Sequence, residues 1–249
     1  MTQFGSPAEW IDFLESQVPT IVGLVVGAWE AMPPPAGNEL EDRVSEALCR
    51  ILRQSRESRD LPFQIHPQLV ELDPTAGEDQ GRMDIVFLPL VNREDIYFCL
   101  ECKRINVREA DGVRPYFAEY VSYGILRFVR GQYARSVRYG GMLAFVLDGD
   151  VPSAVAGVEG NITARRTELG MAAPGQFRPS AIRPADNRLR ETAHSRGSDP
   201  APFVIQHLFM AGDPKTPLRP PPPPKKPAKT KKKKAAAKPK AKKPNKGQP

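Results

Sequence analysis

The stretch IYFCLECKRIN, residues 96–106, is apolar on both faces of an extended chain. Yet it carries Glu101 and Lys103 on either side of Cys102. Strand alternation sends Glu101 and Lys103 out of one face, and Leu100 and Cys102 out of the other. Apolar neighbours on both sides (Ile96, Phe98, Leu100, with Cys99 and Cys102) mark a central strand of a sheet. Charges in such a place are costly unless they are paired or bound to something. Whatever this chain folds into must therefore bring partners to these two residues.

The flanking sequence supplies the sheet. FQIHPQLVEL (63–72) reads as a first strand, TAGEDQG as a turn and RMDIVFLPLV (82–91) as a second strand. NRED then makes a hairpin into the strand at 96–106. Before them, ELEDRVSEALCRILRQSRE places Leu40, Val44, Ala47, Leu48, Ile51 and Leu52 on one helical stripe, with Asn38 as its expected cap. A helical stretch is expected over about 115–135, a very apolar strand at 140–150 and a last strand at 202–211. Residues 151–200 show no clear pattern. At the N-terminus, residues 7–17 predict a short amphipathic helix, and MPPPAGN (32–38) breaks the chain. IVGLVVGAW (21–29) reads as a buried helix or strand, too short to span a bilayer. It follows Asp12 and Glu15 rather than a basic region, which argues against a signal peptide. Helix, three strands, helix and strand in that order imply an α/β sheet flanked by helices.

Charge divides the chain. From Pro214 onward there are thirteen Lys, one Arg and eleven Pro with no acidic residue, so this segment carries +14 and the remainder −7. The basic pI belongs to the C-terminus alone. Such a composition cannot bury enough apolar surface to offset its ordering entropy, and 213–249 is expected to be a disordered basic tail. It follows a helical lead over 1–37 and a domain over 38–212. The tail suits nonspecific attraction to nucleic acid phosphates through Lys231, Lys232, Lys233 and Lys234. It equally suits a solubilising tail or one that docks an acidic partner. Cys49, Cys99 and Cys102 make no even framework and no zinc pattern, which fits free thiols in a reducing cytoplasm.

Asp84, in the second strand, pairs across the hairpin with the strand bearing Glu101 and Lys103. Two carboxylates converging at one sheet end make an oxygen-rich site for a hard cation, Mg²⁺ or Mn²⁺ in its place, with the Cys102 carbonyl as a further oxygen. Lys103 can orient a water or offset charge on a phosphate. A same-face salt bridge between Glu101 and Lys103 is the plain alternative.

Met83–Asp84 followed by Glu101–Cys102–Lys103, in this order of elements, resembles the PD-(D/E)xK nuclease superfamily and its restriction-endonuclease-like fold. The resemblance covers roughly residues 38–150, with Met83 standing where the family has proline. It implies a Mg²⁺-dependent phosphodiesterase, acting on DNA more readily than RNA, with Asp84, Glu101 and Lys103 as catalytic residues. The superfamily often adds a helix glutamate. Glu39, Glu41 and Glu46 compete for that place, and Glu41 is chosen because it borders the stripe of Val44 and Leu48. The segment 116–150 resembles bacterial nuclease-like proteins linked to restriction or phage defence. There Arg127, Arg130, Gln132, Tyr133 and Arg135 are candidates for nucleic-acid contact, with a solvated helix face as the alternative. Gln132 is followed by Ser136 rather than by tyrosine, so the RecB-like branch is not supported. His194, Arg196 and His207 lie on the expected last strands and are not placed. The resemblance also implies a homodimer or a partner protein of a defence system, and no membrane. A non-catalytic nucleic-acid-binding or adaptor protein on the same fold is the rival, and a phosphoesterase of small substrates is disfavoured.

Overall fold

The structure, a computed structural model, describes residues 6–70, 81–90, 95–171, 177–197 and 201–220. The described residues up to Arg219 belong to one compact unit. All but Asp95 of the hairpin turn expected at 92–95, most of the turn expected at 75–81, and Lys231, Lys232, Lys233 and Lys234 lie outside the described residues.

The N-terminal segments expected as separate pieces form one helix, α1 (Pro7–Ala31). Ser6 accepts from the Glu9 N–H while Glu9 accepts from the Ser6 N–H, a capping box with proline at the first helical position. By length and composition α1 could cross a membrane. Here its apolar face is taken up by the core, from Leu14 through Trp29. The Trp29 indole stacks on Phe145, 5.4 Å between centroids, and donates to the Ala211 carbonyl at 2.9 Å. The described part of the helical lead expected over 1–37 thus packs into the same core.

In α2 (Glu41–Ser58), Val44, Leu48 and Leu52 are buried and Ala47 and Ile51 half-buried, as the stripe predicts. Leu40 departs from it: it is the N-cap residue and 48 % exposed. Asn38 does not cap this helix. Its amide instead clasps the backbone of Arg219, accepting from the N–H at 2.6 Å and donating to the carbonyl at 3.0 Å. Arg108 Nη1 also donates to the Thr216 carbonyl. Residues 213–219, expected within a disordered tail, are therefore fastened to the body.

Among the described residues seven strands form one mixed sheet in the order β1-β2-β3-β6-β9-β8-β7. These are β1 (Phe63–Val70), β2 (Arg82–Pro89), β3 (Phe98–Ile105), β6 (Tyr139–Val146), β7 (Arg178–Pro179), β8 (Leu189–His194) and β9 (Phe203–Ala211). β4 (Val107–Glu109) and β5 (Gly112–Arg114) make a separate two-stranded ribbon directly after β3. β1–β2–β3 are antiparallel, β3–β6–β9 parallel, and β9–β8–β7 antiparallel. The parallel strands sit centrally because their crossovers lay helices over the sheet. Phe145 and Phe209 point to opposite faces, since Phe145 pairs with Met210 and Ala144 with Phe209. Trp29 covers the first, and Tyr120 stacks on the second at 6.0 Å, so helices flank both faces.

The crossover from β3 to β6 is shorter than expected and irregular. It runs α3 (Phe117–Tyr120), a π-helical turn (Val121–Ile125) and α4 (Leu126–Val129). Gly124 lies in that turn, where a Cβ would meet Met142 Cε at 2.3 Å and Glu101 Cγ at 3.9 Å. A side chain at position 124 would have to displace the end of Met142 on β6, whereas its distance from Glu101 on β3 would be ordinary contact. α5 (Val151–Ala164) forms the next crossover within the stretch that showed no pattern. Asp150 caps it, accepting from the Ser153 N–H at 3.1 Å.

Candidate active site

The β2–β3 ladder ends at Ile85↔Leu100, so Asp84 and Glu101 are the next residues in register. On the other side of β2 the pairing skips from Pro67↔Ile85 to Leu69↔Met83. Gln68, opposite Asp84, takes a left-handed φ of 52°. Both ladders are thus interrupted at Asp84. Its carboxylate replaces the missing strand contact, with Oδ2 accepting from the Cys102 N–H at 2.7 Å. Residues in register across an antiparallel pair share a face, so Asp84, Glu101 and Lys103 are brought together on one side of the sheet.

Lys103 ties the group together. Its Nζ lies 2.8 Å from Glu101 Oε1, 3.1 Å from Glu41 Oε1 and 2.8 Å from the Cys102 carbonyl, which uses all three of its protons. Glu41 Oε2 accepts from the Arg104 N–H at 3.0 Å. Of the three candidate glutamates, Glu41 is the one that reaches the site, and Glu39 lies before α2 begins. Glu39 pairs instead with Arg219 at 3.2 Å, and Glu46 is exposed on α2. Glu101 is 1 % exposed and Asp84 8 %. Glu101 Oε1 also accepts from Arg127 Nη1 at 2.8 Å, whereas Oε2 is buried without a hydrogen-bond partner among the described residues.

Burial sets the titration. It raises Asp84 to about 7, with the neighbouring Glu101 charge adding to the shift. Burial also raises Glu101, against the opposing pull of Lys103 and then Arg127. Lys103 is pushed up: burial opposes its charge, but Glu101 and Glu41 outweigh that. A site that crowds carboxylates so that one holds a proton near neutrality invites a further cation.

Asp84 and Glu101 could hold a divalent cation, with the Cys102 carbonyl, whose second lone pair is left over by Lys103. The donors are all oxygens, and the orphaned Glu101 Oε2 is a buried acceptor in need of a positive partner, which fits a hard ion. Among the described residues no group of three or more His, Cys, Asp or Glu side chains assembles as a metal cluster. The ion would therefore draw its remaining ligands from water and substrate, as Mg²⁺ commonly does.

The five residues proposed for nucleic-acid contact do not share a helix face. Arg127 turns inward to Glu101 and to the Tyr133 hydroxyl, 2.8 Å away, and Tyr133 is fully buried. Arg130 closes α4 and pairs with Glu168 at 3.2 Å. Gln132 and Arg135 lie in the turn after it. The helix stops at Val129, which is why a spacing argument extended to 135 misplaces them. A signal was present: Arg127 sits in the apolar run GILRFV, and an arginine so flanked requires a buried partner.

His207 and His194 belong to a buried chain behind the site. Only one arrangement of protons satisfies it, and the Leu169 carbonyl fixes its direction. His194 Nδ1 donates to that carbonyl at 2.8 Å, Thr192 donates to His194 Nε2 at 2.7 Å, His207 Nε2 donates to Thr192 at 2.8 Å, and Tyr120 donates to His207 Nδ1 at 3.0 Å. Arg196 is also structural. It donates to the carbonyls of Phe128, Tyr133 and Ala134 and lies 3.4 Å over the Phe203 ring, clamping the end of α4 and the following turn. The sequence flagged these three residues without a role; no pattern linked Thr192 or Tyr120 to them.

Comparison with protein-family models, with curated proteins and with solved structures found no match.

Proposed function

We propose that this protein is a Mg²⁺-dependent nuclease of the PD-(D/E)xK kind, with the restriction-endonuclease-like fold, hydrolysing phosphodiester bonds in DNA. The observation that carries the reading is the meeting of Asp84, Glu101, Lys103 and Glu41. They come from β2, β3 and α2, at a point where the ladders on both sides of Asp84 are interrupted. The order α2, β1–β3, helix, β6 matches the element order that the MD…ECK motif implies. A bound divalent cation would polarise the phosphoryl oxygen and acidify a water.

The chain's own residues do the rest. Asp84 and Glu101 would hold the ion, and Asp84 would have to give up its proton to do so. Lys103 fixes the angle between Glu101 and Glu41 through its three bonds. It releases one of them to donate to the attacking water or to a phosphate oxygen. Glu41 positions Lys103 and the backbone of Arg104. The Lys-rich C-terminal segment suits a polyanionic substrate, and a role in restriction or phage defence, in the cytoplasm and with a second copy or a partner protein, follows from the family resemblance.

Cleavage of supercoiled plasmid by purified protein in Mg²⁺ against EDTA, beside Asp84→Ala and Lys103→Ala, tests the reading. Cleavage that both variants retain overturns it. The second reading is a non-catalytic nucleic-acid-binding or adaptor protein. The observation in its favour is that Lys103 and Arg127 already satisfy one oxygen of Glu101. It predicts DNA binding that is indifferent to EDTA and to both substitutions.

A further inference from the structure

Two cations converge on Glu101 Oε1, Lys103 Nζ and Arg127 Nη1, each at 2.8 Å, while Oε2 of the same carboxylate is buried and has no partner among the described residues. The two cations are not held alike. Lys103 is locked by three acceptors and its side chain is 14 % exposed. The contacts of Arg127 Nη1 are Glu101 and the Tyr133 hydroxyl, and the arginine keeps 33 % of its side chain in solvent. The Tyr133 hydroxyl spends its one proton on the Arg82 carbonyl at 2.9 Å, so it can only accept from Arg127. Its ring is buried and packed edge-on against Phe128, which fixes that acceptor in place.

We propose that Arg127 is an exchangeable counter-ion: it neutralises Glu101 while the site holds no metal, and turns to the phosphate oxygens of the substrate when a divalent cation takes that carboxylate. The inference rests on the nuclease reading. A double positive charge arriving at Glu101 repels both resident cations, and Arg127 has the open route to solvent. Its planar fork matches two phosphate oxygens. Because α4 keeps its backbone in place, the exchange requires a change of rotamer and no movement of the fold. Tyr133 is then a positioning residue that holds Arg127 on Glu101.

The test is calorimetric titration of Mn²⁺ into the full chain without nucleic acid, near pH 8.5 so that proton competition at the carboxyls is small. Plasmid cleavage kinetics run beside it. Arg127→Ala is expected to bind Mn²⁺ about fivefold tighter than wild type, having lost a competing charge. Its kcat is expected to fall about a hundredfold, having lost a phosphate donor. Arg127→Lys, which keeps the charge, should return Mn²⁺ affinity towards wild type. Tyr133→Phe should tighten Mn²⁺ binding about twofold through the same release, and it carries the affinity test if Arg127→Ala does not fold. Unchanged or weaker Mn²⁺ binding in these two variants, or undiminished kcat in Arg127→Ala, overturns the exchange. Wild type that binds Mn²⁺ and cuts DNA while the variants behave so leaves the nuclease reading standing. Wild type that neither binds Mn²⁺ nor cuts overturns both.

Discussion

Glu41 and Lys103, 62 positions apart in the chain, meet at 3.1 Å. The first comes from the opening turn of α2 and the second from the middle of the sheet. The contact makes the position of α2 part of the site's geometry.

On the nuclease reading, Glu41→Ala should accordingly lower cleavage without abolishing it, by about 10–10²-fold, since it loosens Lys103 and leaves both carboxylates proposed to hold the ion intact. Asp84→Ala and Glu101→Ala should fall to background. Initial rates on plasmid DNA across a Mg²⁺ series check the ranking.

The buried Asp84 should make the metal-free protein less stable as pH rises. Its pKa in the folded chain is about 7, against 3.8 for the free side chain. Between those values the folded state holds a proton that the unfolded state has released, so raising the pH through this window removes stability, to a limit of about 4 kcal/mol. Asp84→Asn should remove this penalty and melt higher than wild type in EDTA above pH 7, while cutting nothing. Thermal melts from pH 4 to 8 decide it, and added Mg²⁺ should raise the wild-type midpoint at pH 8 and not that of the variant.

His194 has the opposite sign. Burial holds it at about 4, below its usual 6.5, so the unfolded chain takes up a proton first and stability falls as pH drops from 6.5 towards 4. Thr192→Val breaks the hydrogen-bond chain between the two histidines, leaving each ring with one unsatisfied nitrogen. It should cost about 1–3 kcal/mol by urea denaturation at pH 7.

Arg196→Met should expose the carbonyls that close α4. Loss of charge-assisted bonds to Phe128, Tyr133 and Ala134 predicts a destabilisation of about 2–3 kcal/mol, with faster amide exchange confined first to residues 128–137. Exchange that quickens uniformly over the whole sheet would contradict the local role.

A chain ending at residue 212, where composition places the boundary, should be less stable than one ending at residue 219. The shorter chain loses both Asn38 bonds to Arg219 and the bond of Arg108 to Thr216. Each is worth about 1 kcal/mol. Melting temperatures of the two truncations compare them directly.

Most of the sheet was legible because β2, β3, β6 and β9 are apolar runs bounded by turn residues, and the helix carrying Glu41 has a clean stripe. The carboxylate pair was legible for the same reason: strand alternation fixes which side chains share a face. What escaped the sequence depends on tertiary contact. Pro19 inside α1 hid the continuity of that helix, whose packing against the core outweighs the lost hydrogen bond. Capping by Asn38 was a sound local inference that a contact 181 residues away overrode. The arginines after position 126 were placed on an unbroken helix that the chain does not make.

That break has a consequence for how such a protein can vary. A π-helical turn accommodates one more residue than an α-helical turn, so everything beyond Val121–Ile125 is rotated by about 100° from the path of a regular helix. Arg127 faces Glu101 by virtue of that offset. Removing a single amino acid between positions 121 and 125 would swing the guanidinium away from the carboxylate while leaving every residue of the motif intact. A chain that kept the four charged side chains but differed by one residue in this turn would carry an altered site under an unaltered motif.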